Sequence, residues 1–430
     1  MYTICETFVG AGGSHLGFQD EGFLTKYVND FSEVAIETLL FNNPKIKETS
    51  IVDTTDIVKV NPNDILKQTG LKTGELDVLF GGIVCKGFSL AGQRSPNDER
   101  NYFYRKQLEF VEILKPKISV IENVPGINNA KVLSSNTPYE LREKVDDIWK
   151  ALDNYKGEKA KLRKLNKITP DFEQKGKILR KEKNKIFDKL KKEGYLISVM
   201  DNILDLYEKL DYTVYKKVLN AACYGSATKR ERMIIVAVRN DLNIKYEFPK
   251  ATHGDETFFK KYSDLYENNE YEPIRTVNDA LSTIDYDNKD DEDNKPMNHA
   301  PKTVERFKYI PEGDNIANHI DELPDDLKIS KFYSRGSTMR LDGNKPSPTL
   351  VPGHSNFPVH PKEHRSITVR EAAAITGFPN DYKFIGSHTQ RCEEVGNAVP
   401  PNLSRAIAKS VKKVLDKWYF SLSECNCKKK

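Results

Sequence analysis

Apolar residues in the first part of the chain fall into short blocks separated by polar stretches with helical spacing. Residues 2–9, 24–29, 76–80, 118–121 and 233–238 are each too short for a buried helix and are bounded by turn residues. They read as strands buried on both faces. Between them, a helix is predicted from Ser14 and another over 33–41. Strands alternating with helices predict an α/β fold with a doubly wound, mostly parallel sheet, whose ligands sit at the carboxyl ends of the strands.

The pattern changes twice. Over 141–194 apolar residues recur at helical spacing (Val145, Ile148, Leu152, then Ile178, Ile186, Leu190), with Pro170 as the interruption. This predicts a helical hairpin inserted in the sheet domain. It holds 18 Lys and Arg against 10 Asp and Glu, which fits either a solvated charged insertion or an arm that contacts phosphates. From about 245 to 362 the alternation is lost. That stretch contains an acidic loop at 285–293 and the basic, turn-rich run SRGSTMRLDGNKPSPTL, and is expected to form a second domain of short strands and loops.

Composition adds limits rather than an identity. The chain has 430 residues, 38% hydrophobic and 30% charged, with a formal net charge of +4. A charge that small does not name a nucleic-acid partner, so its distribution matters more. No run is long and apolar enough for a membrane span, and the first residues lack the features of a signal peptide. The six cysteines form no CxxC pair, so neither a disulfide framework nor a metal site is expected. Cys425 and Cys427 lie in a segment, 421–430, expected to be a disordered tail.

Candidate chemistry gathers at the predicted strand ends. In ETFVGAGGSHLGF a strand runs into Gly10, Gly12 and Gly13, a turn that lets backbone approach a ligand. Asp30 ends the next strand, where a carboxylate can accept the ribose hydroxyls of a nucleoside, and the neighbouring Phe31 can cover an adenine face. In LFGGIVCKGFSLAGQR, Cys85 follows two glycines, and Lys86 beside it favours the thiolate. In ISVIENVPGI, Glu122 at a buried strand end is placed to act as a proton donor. In ATKRERMIIVAV, Arg230 and Arg232 alternate on an extended chain, so both can face one pocket. The stretches TVREAAAITGFP and VGNAVPP read by themselves as scaffold. Each of these features alone also fits an ordinary structural role.

Taken in order, FVGAGG, GGIVCKGFS, ENV, TKRERMIIVAV, TVREAAAITGFP and VGNAVPP resemble the DNA cytosine-5 methyltransferase family of the restriction–modification type, over about residues 4–410. The resemblance implies the class I S-adenosylmethionine-dependent methyltransferase fold. Its expected parts are a catalytic domain over 1–244, a target-recognition domain over 245–385 and a returning C-terminal helix over 386–420. It implies a methyl group passed from S-adenosylmethionine to C5 of a cytosine flipped out of duplex DNA. Catalytic residues would be Cys85, Glu122, Arg230 and Arg232. Cys85 would attack C6, Glu122 would hold N3 and the exocyclic amine, and Arg232 would contact O2, with Arg230 structural or facing phosphate. Cofactor-binding residues would be Phe8, Gly10, Gly12, Gly13, Asp30, Phe31, Asp56, Ile57, Asn397 and Ala398, although Asp53 competes with Asp56 by position. DNA would be met by Lys86, Ser89, Arg94, Arg335, Ser337, Arg340, Lys345 and His354. The implied setting is a monomer in a prokaryotic cytoplasm acting on chromosomal or phage double-stranded DNA, with a cognate restriction endonuclease acting separately.

The chain departs from the family where Ile83-Val84-Cys85-Lys86 replaces the usual Pro-Pro-Cys-Gln and Thr228 replaces a glutamine. Lys86 would then lower the thiol pKa and offset the lost proline stiffening. Two alternatives share the motif set: a tRNA cytosine-5 methyltransferase, and a DNA-binding homologue with weakened catalysis. A nicotinamide oxidoreductase is disfavoured by the missing GxGxxG.

Overall fold

The computed structural model describes residues 1–83, 95–98, 102–165, 167–267, 271–329, 336–353 and 356–427. In chain order the first part runs β1 (Thr3–Thr7), α1 (Gly13–Asp20), β2 (Leu24–Asn29), α2 (Glu33–Asn42), α3 (Ile46–Thr49), β3 (Ile51–Asp53), α4 (Pro62–Thr69), β4 (Val78–Gly82), α5 (Phe103–Leu114) and β5 (Ile118–Asn123). Next come β6 (Lys131–Leu133), α6 (Tyr139–Lys164), α7 (Pro170–Lys192), β7 (Leu196–Ser198), α8 (Val199–Lys209), β8 (Tyr212–Asn220) and β9 (Glu231–Arg239). The remainder holds β10 (His253–Gly254), α9 (Glu256–Lys261), β11 (Glu272–Pro273), α10 (Val277–Leu281), α11 (Pro301–Lys308), α12 (Val369–Thr376), α13 (His388–Asn397) and α14 (Pro401–Cys427).

Among the described residues the main sheet has seven strands in the order β3-β2-β1-β4-β5-β9-β8. The pairs β1–β2, β2–β3, β1–β4 and β4–β5 are parallel. The order reverses around β1 and β4, as the strand–helix alternation predicted for a doubly wound sheet. Its central strands are buried on both faces, which is why β4 and β5 read as unbroken apolar runs rather than alternating ones.

Contacts divide the chain into two compact units. One comprises Met1–Gly82, Ile113–Glu122 and Tyr215–Lys430, and the other Ile83–Glu112 and Asn123–Val214. In the first unit, Ile4, Phe18, Val78, Phe80, Ile118 and Val120 pack with Leu403, Ile407 and Val411 of α14. Small residues permit this: a Cβ on Gly17 would lie 2.3 Å from the Arg405 nitrogen, so α1 and α14 meet backbone to backbone. The segment 245–385 lies within this unit. Regular strand there is limited to the two-residue β10 and β11, and short helices, 3-10 turns and isolated bridges make up the rest of what is described. Its apolar residues Val277, Leu350, Phe357 and Ile367 share a core with α12, α13 and Ala11 of the glycine turn.

In the second unit, α6 and α7 form the hairpin predicted from spacing. Pro170 stands at the first position of α7, where its missing N–H costs nothing, and Thr169 caps the Phe172 nitrogen. The base of the hairpin buries Val145, Ile148, Trp149, Leu152 and Leu190.

One expectation is corrected at the C-terminus. Helix α14 continues to Cys427, through most of the segment expected as a disordered tail. No glycine follows Pro401 and no second proline interrupts the run, so nothing in the local sequence stops the helix.

Candidate active site

The site is assembled from strand ends. In the parallel register Thr7 lies opposite Gly81, and Gly82 lies opposite Glu122, so β1, β4 and β5 finish side by side. Glu122 is 7% exposed. Its Oε1 lies 2.6 Å from the Arg232 Nε on β9. A Cβ built on Gly82 would stand 3.8 Å from the Glu122 Oε2 and 3.3 Å from the Phe8 carbonyl oxygen. The carboxylate therefore sits directly beside the strand end from which the chain enters the cysteine segment. Cys85, Lys86, Ser89 and Arg94 lie outside the described residues.

A buried ion pair of this kind is costly to leave half-made. Removing one partner strands a charge and typically costs about 3–5 kcal/mol. Arg232 also donates from Nη1 to the Glu231 carbonyl, 2.7 Å away, which orients the guanidinium plane.

Arg230 is brought beside this pair but is differently used. It is 3% exposed and donates from Nη1 to the Leu350 carbonyl at 3.3 Å. Burial holds its guanidinium pKa well below the ordinary range, and the positive charge of Arg232 adds to the effect. The strip that receives it was not read from sequence as part of the site. Ser347 donates its N–H to the Ala227 carbonyl, and Lys229 donates its N–H to the Ser347 carbonyl. Thr228, buried at 1% exposure, donates its hydroxyl to the Pro348 carbonyl. A turn-rich run with prolines gives no strand signal, so only the folded chain reveals residues 347–350 as the support of the arginine pair.

The second group of candidates surrounds the glycine turn. Phe8, Gly10 and Gly12 have φ of 54°, 54° and 89°. Gly10 donates its N–H to the Asp30 Oδ2 at 2.8 Å, and Ser32 donates its N–H to Oδ1 at 2.9 Å. Burial raises the Asp30 pKa, against the lowering effect of these two backbone bonds. A Cβ on Gly10 would meet nothing within 4 Å, so space lies open above the turn. Gly13 packs against the Val399 carbonyl and Ala398. Phe31 is 70% exposed, a bare aromatic face beside the Asp30 carboxylate.

Asp53 and Asp56 are separated by their surroundings. Asp53 accepts from the Tyr27 hydroxyl at 2.8 Å and from the Thr55 nitrogen at 2.8 Å, so it is engaged in the fold. Asp56 is exposed and caps only the Val58 nitrogen, while Ile57 is buried beneath it. Asn397 is exposed at the end of α13, and Ala398 follows it, buried.

The DNA-facing candidates divide. Arg335 and His354 lie outside the described residues. Ser337 is half-buried, and Lys345 is exposed and paired with Asp342 at 2.8 Å. Arg340, expected at DNA, is instead an interior clamp. It is 3% exposed, and its guanidinium donates to the carbonyls of Phe307, Ile310, His360 and Glu363. With its donors spent on backbone oxygens it has no edge to offer a base, and we do not carry it forward as a DNA contact.

With this geometry in place, comparison with known proteins is decisive. The sequence model of the C-5 cytosine-specific DNA methylase family matches residues 2–168 and 175–413. The chain belongs to that family. Among relatives, it is 29% identical to the Type II methyltransferase M.NgoFVII of Neisseria gonorrhoeae, over 95% of this chain and 86% of the relative. It is 28% identical to the Type II methyltransferase M.Eco47II of Escherichia coli, over 97% of this chain and 80% of the relative. Among solved structures, a prophage-encoded E. coli protein described as a DNA modification methyltransferase superposes with a TM-score of 0.61. It is 20% identical and covers 97% of this chain and 100% of its own. That likeness establishes the class I methyltransferase fold expected from the motifs. The protein is an enzyme, and the family match favours DNA over the RNA alternative. As a methylase it requires a methyl donor. Among the described residues no helix is long and apolar enough to cross a membrane.

Proposed function

We propose that this methylase transfers a methyl group from S-adenosylmethionine to C5 of a cytosine flipped out of duplex DNA at a defined sequence, as the modification arm of a restriction–modification system. The observation that carries the proposal is the buried Glu122–Arg232 ion pair set against Gly82, three residues before Cys85. Once it takes up a proton, the Glu122 carboxyl can donate to N3 of a ring, and the guanidinium held 2.6 Å from it can donate to O2.

In this reading the Cys85 thiolate adds to C6 of the base. Glu122, protonated, donates to N3 and accepts from the exocyclic amine, so that its proton offsets the charge that builds on the ring. Arg232 holds O2, and Arg230 stays tied to the Leu350 carbonyl as a structural neighbour. The electron pair displaced from the C5–C6 bond makes C5 the nucleophile toward the methyl group. Loss of the C5 proton then re-forms the double bond and expels the thiolate. Extruding the base costs about a few kcal/mol, which contacts to the rest of the duplex must offset.

The residues around the glycine turn suit the donor. S-adenosylmethionine, when bound, supplies a methyl group on a positively charged sulfur. The exposed ring of Phe31 offers a face for adenine, and Asp30 offers a carboxylate for the ribose hydroxyls. Asp56 has a free oxygen for an exocyclic amine, and Asn397 and the open space above Gly10 lie toward the amino-acid end. Phe8, Gly12, Gly13, Ile57 and Ala398 shape the walls. The segment 245–385, with Arg335, Ser337, Lys345 and His354, is the proposed target-recognition part, and Lys86, Ser89 and Arg94 the proposed loop over the flipped base. A cytoplasmic monomer paired with a separately acting endonuclease is the setting this reading implies.

The test is methyl transfer from radiolabelled S-adenosylmethionine to duplex DNA, together with adduct trapping on 5-fluorocytosine DNA. Cys85→Ser should abolish both. Glu122→Gln should lower kcat by about 10²–10⁴-fold, the range for a positioned proton donor, in protein that circular dichroism shows to be folded despite the stability lost with the ion pair. Full activity in Cys85→Ser would overturn the mechanism.

A further inference from the structure

The α6–α7 hairpin is unused by the chemistry above, and its charge is not evenly spread. Residues 156–185, which run through the tip and along most of α7, carry twelve Lys and Arg against four Asp and Glu. Residues 141–155 carry three against four, and 186–194 three against two. The excess of positive charge therefore lies on the tip and on α7, which packs through Leu179 and Ile186 on the core of Val145, Trp149 and Leu190.

The two helices are also held stiffly together. Tyr155 stacks on Phe172 with centroids 4.7 Å apart and planes at 17°. Gly176 lies against the same ring, so closely that a Cβ there would sit 2.2 Å from the Tyr155 Cζ. Lys159, Arg180 and Lys183 lie over the aromatic seam formed by Tyr155 and Trp149, at 5.2–5.9 Å from the ring centroids. Those cations serve the hairpin itself.

A second set does not. Lys177, Lys181 and Lys185 are exposed and follow one another at four-residue intervals on α7. The interval makes them neighbours on one helix face, each about 6 Å further along the axis. Among the described residues none of the three has a carboxylate within ion-pair distance, whereas Lys159 and Lys175 are paired with Glu173 and Glu158. A row of unpaired ammonium groups on a rigid helix is repulsive in the free protein and gains when it meets a regular line of negative charge.

We propose that the basic face of α7 in this hairpin is a phosphate-contacting surface for duplex DNA, with the Lys177–Lys181–Lys185 row as its contact edge. The identity of the polyanion rests on the DNA-methyltransferase reading; the geometry of the row does not. Such contacts add affinity independent of base sequence.

The experiment uses the full chain, with equilibrium binding to a duplex of arbitrary sequence measured over a range of salt concentrations. The triple variant Lys177→Gln, Lys181→Gln, Lys185→Gln preserves helix propensity. An equally neutralised control, Lys144→Gln, Lys150→Gln, Lys192→Gln, removes exposed lysines that are not part of the row. Three lost phosphate contacts should flatten the slope of log affinity against log salt by about 2.7 and weaken binding about tenfold or more near 0.1 M salt. The control should keep the wild-type slope, and kcat at saturating DNA should be unchanged in both. An unchanged slope in the first variant, or the same flattening in the control, overturns the contact surface. So does a slope lost only on structured RNA. Absence of methyl transfer by the wild type, with the slope difference intact, would instead sink the reaction reading and support the contact surface.

Discussion

Gly10 and Gly12 look interchangeable in sequence, yet the fold uses them for different reasons. Both have positive φ, but a Cβ on Gly10 would enter open space, whereas one on Gly12 would lie 2.6 Å from the Tyr382 Oη and 2.7 Å from the Leu39 Cδ1. Gly10→Ala should therefore cost about 1–2 kcal/mol of stability, the penalty of a left-handed L-residue. Gly12→Ala should cost about 3 kcal/mol or more, because packed atoms must also move. Urea unfolding of the two variants would check this, and equal losses would refute the distinction. If the space above Gly10 belongs to the methyl donor, Gly10→Ala should weaken donor binding more than it weakens the fold. Arg340 gives the complementary lesson. Its residue type pointed to a nucleic-acid surface, but four backbone carbonyls claim it. Carbonyls gathered from the end of α11 and from a distant turn cannot be seen together until the chain is folded, so this misreading has a physical origin.

At the scale of elements, helix ends are fixed by caps, which are local chemistry. Thr368 and Glu371 form a reciprocal capping box at the start of α12, Ser387 and Gln390 another at α13, and Gly377 ends α12 at φ 105°. What local chemistry does not show is how α13 is tied to α2. Thr38 donates its hydroxyl to the Glu394 Oε2 at 2.8 Å and accepts the Ile385 N–H at 2.9 Å. Burial pushes the Glu394 carboxyl up to about 8, opposed by the Thr38 bond and by Arg391 and reinforced by Asp293 and Asp30. The folded state thus holds a proton that the unfolded chain releases near its ordinary value of 4.5. Between about pH 4.5 and 8 the folded state binds more protons than the unfolded one, so this group's contribution declines as pH rises through the window. Glu394→Gln, neutral at all pH, should be more stable than wild type at pH 8, by about 2 kcal/mol, and should lose that advantage toward pH 4.5. Thermal unfolding at both pH values would test it, and a gap that does not narrow on acidification would exclude the assignment.

At the scale of the whole molecule, the two ends of the chain build one layer. Helix α14 places Leu403, Ile407, Val411, Val414 and Leu415 in the same core as β1, β4 and β5, all at 3% exposure or less. Each such side chain contributes about 1.5–3 kcal/mol on burial. Their sum is comparable with the whole stability of a domain, about 5–15 kcal/mol. A chain ending at residue 400 should show no cooperative unfolding transition and no methyl transfer, and a sharp native-like melt of that truncation would contradict the account. By itself the sequence determined the alternating strands and helices, the hairpin broken at Pro170, the glycine turn, and the acid Glu122 at a buried strand end. Those depend on periodicity, on missing N–H groups and on residue chemistry, which act within a few positions of one another. Only the tertiary structure decided that Glu122 meets Arg232 across more than a hundred residues, that residues 347–350 brace Arg230 and the residues before it, that both Asp53 oxygens are engaged while Asp56 caps only Val58, and that Arg340 serves the interior. Those outcomes depend on which buried polar groups find partners. Desolvation imposes that choice once distant segments are packed together, and it leaves no periodic trace in the chain.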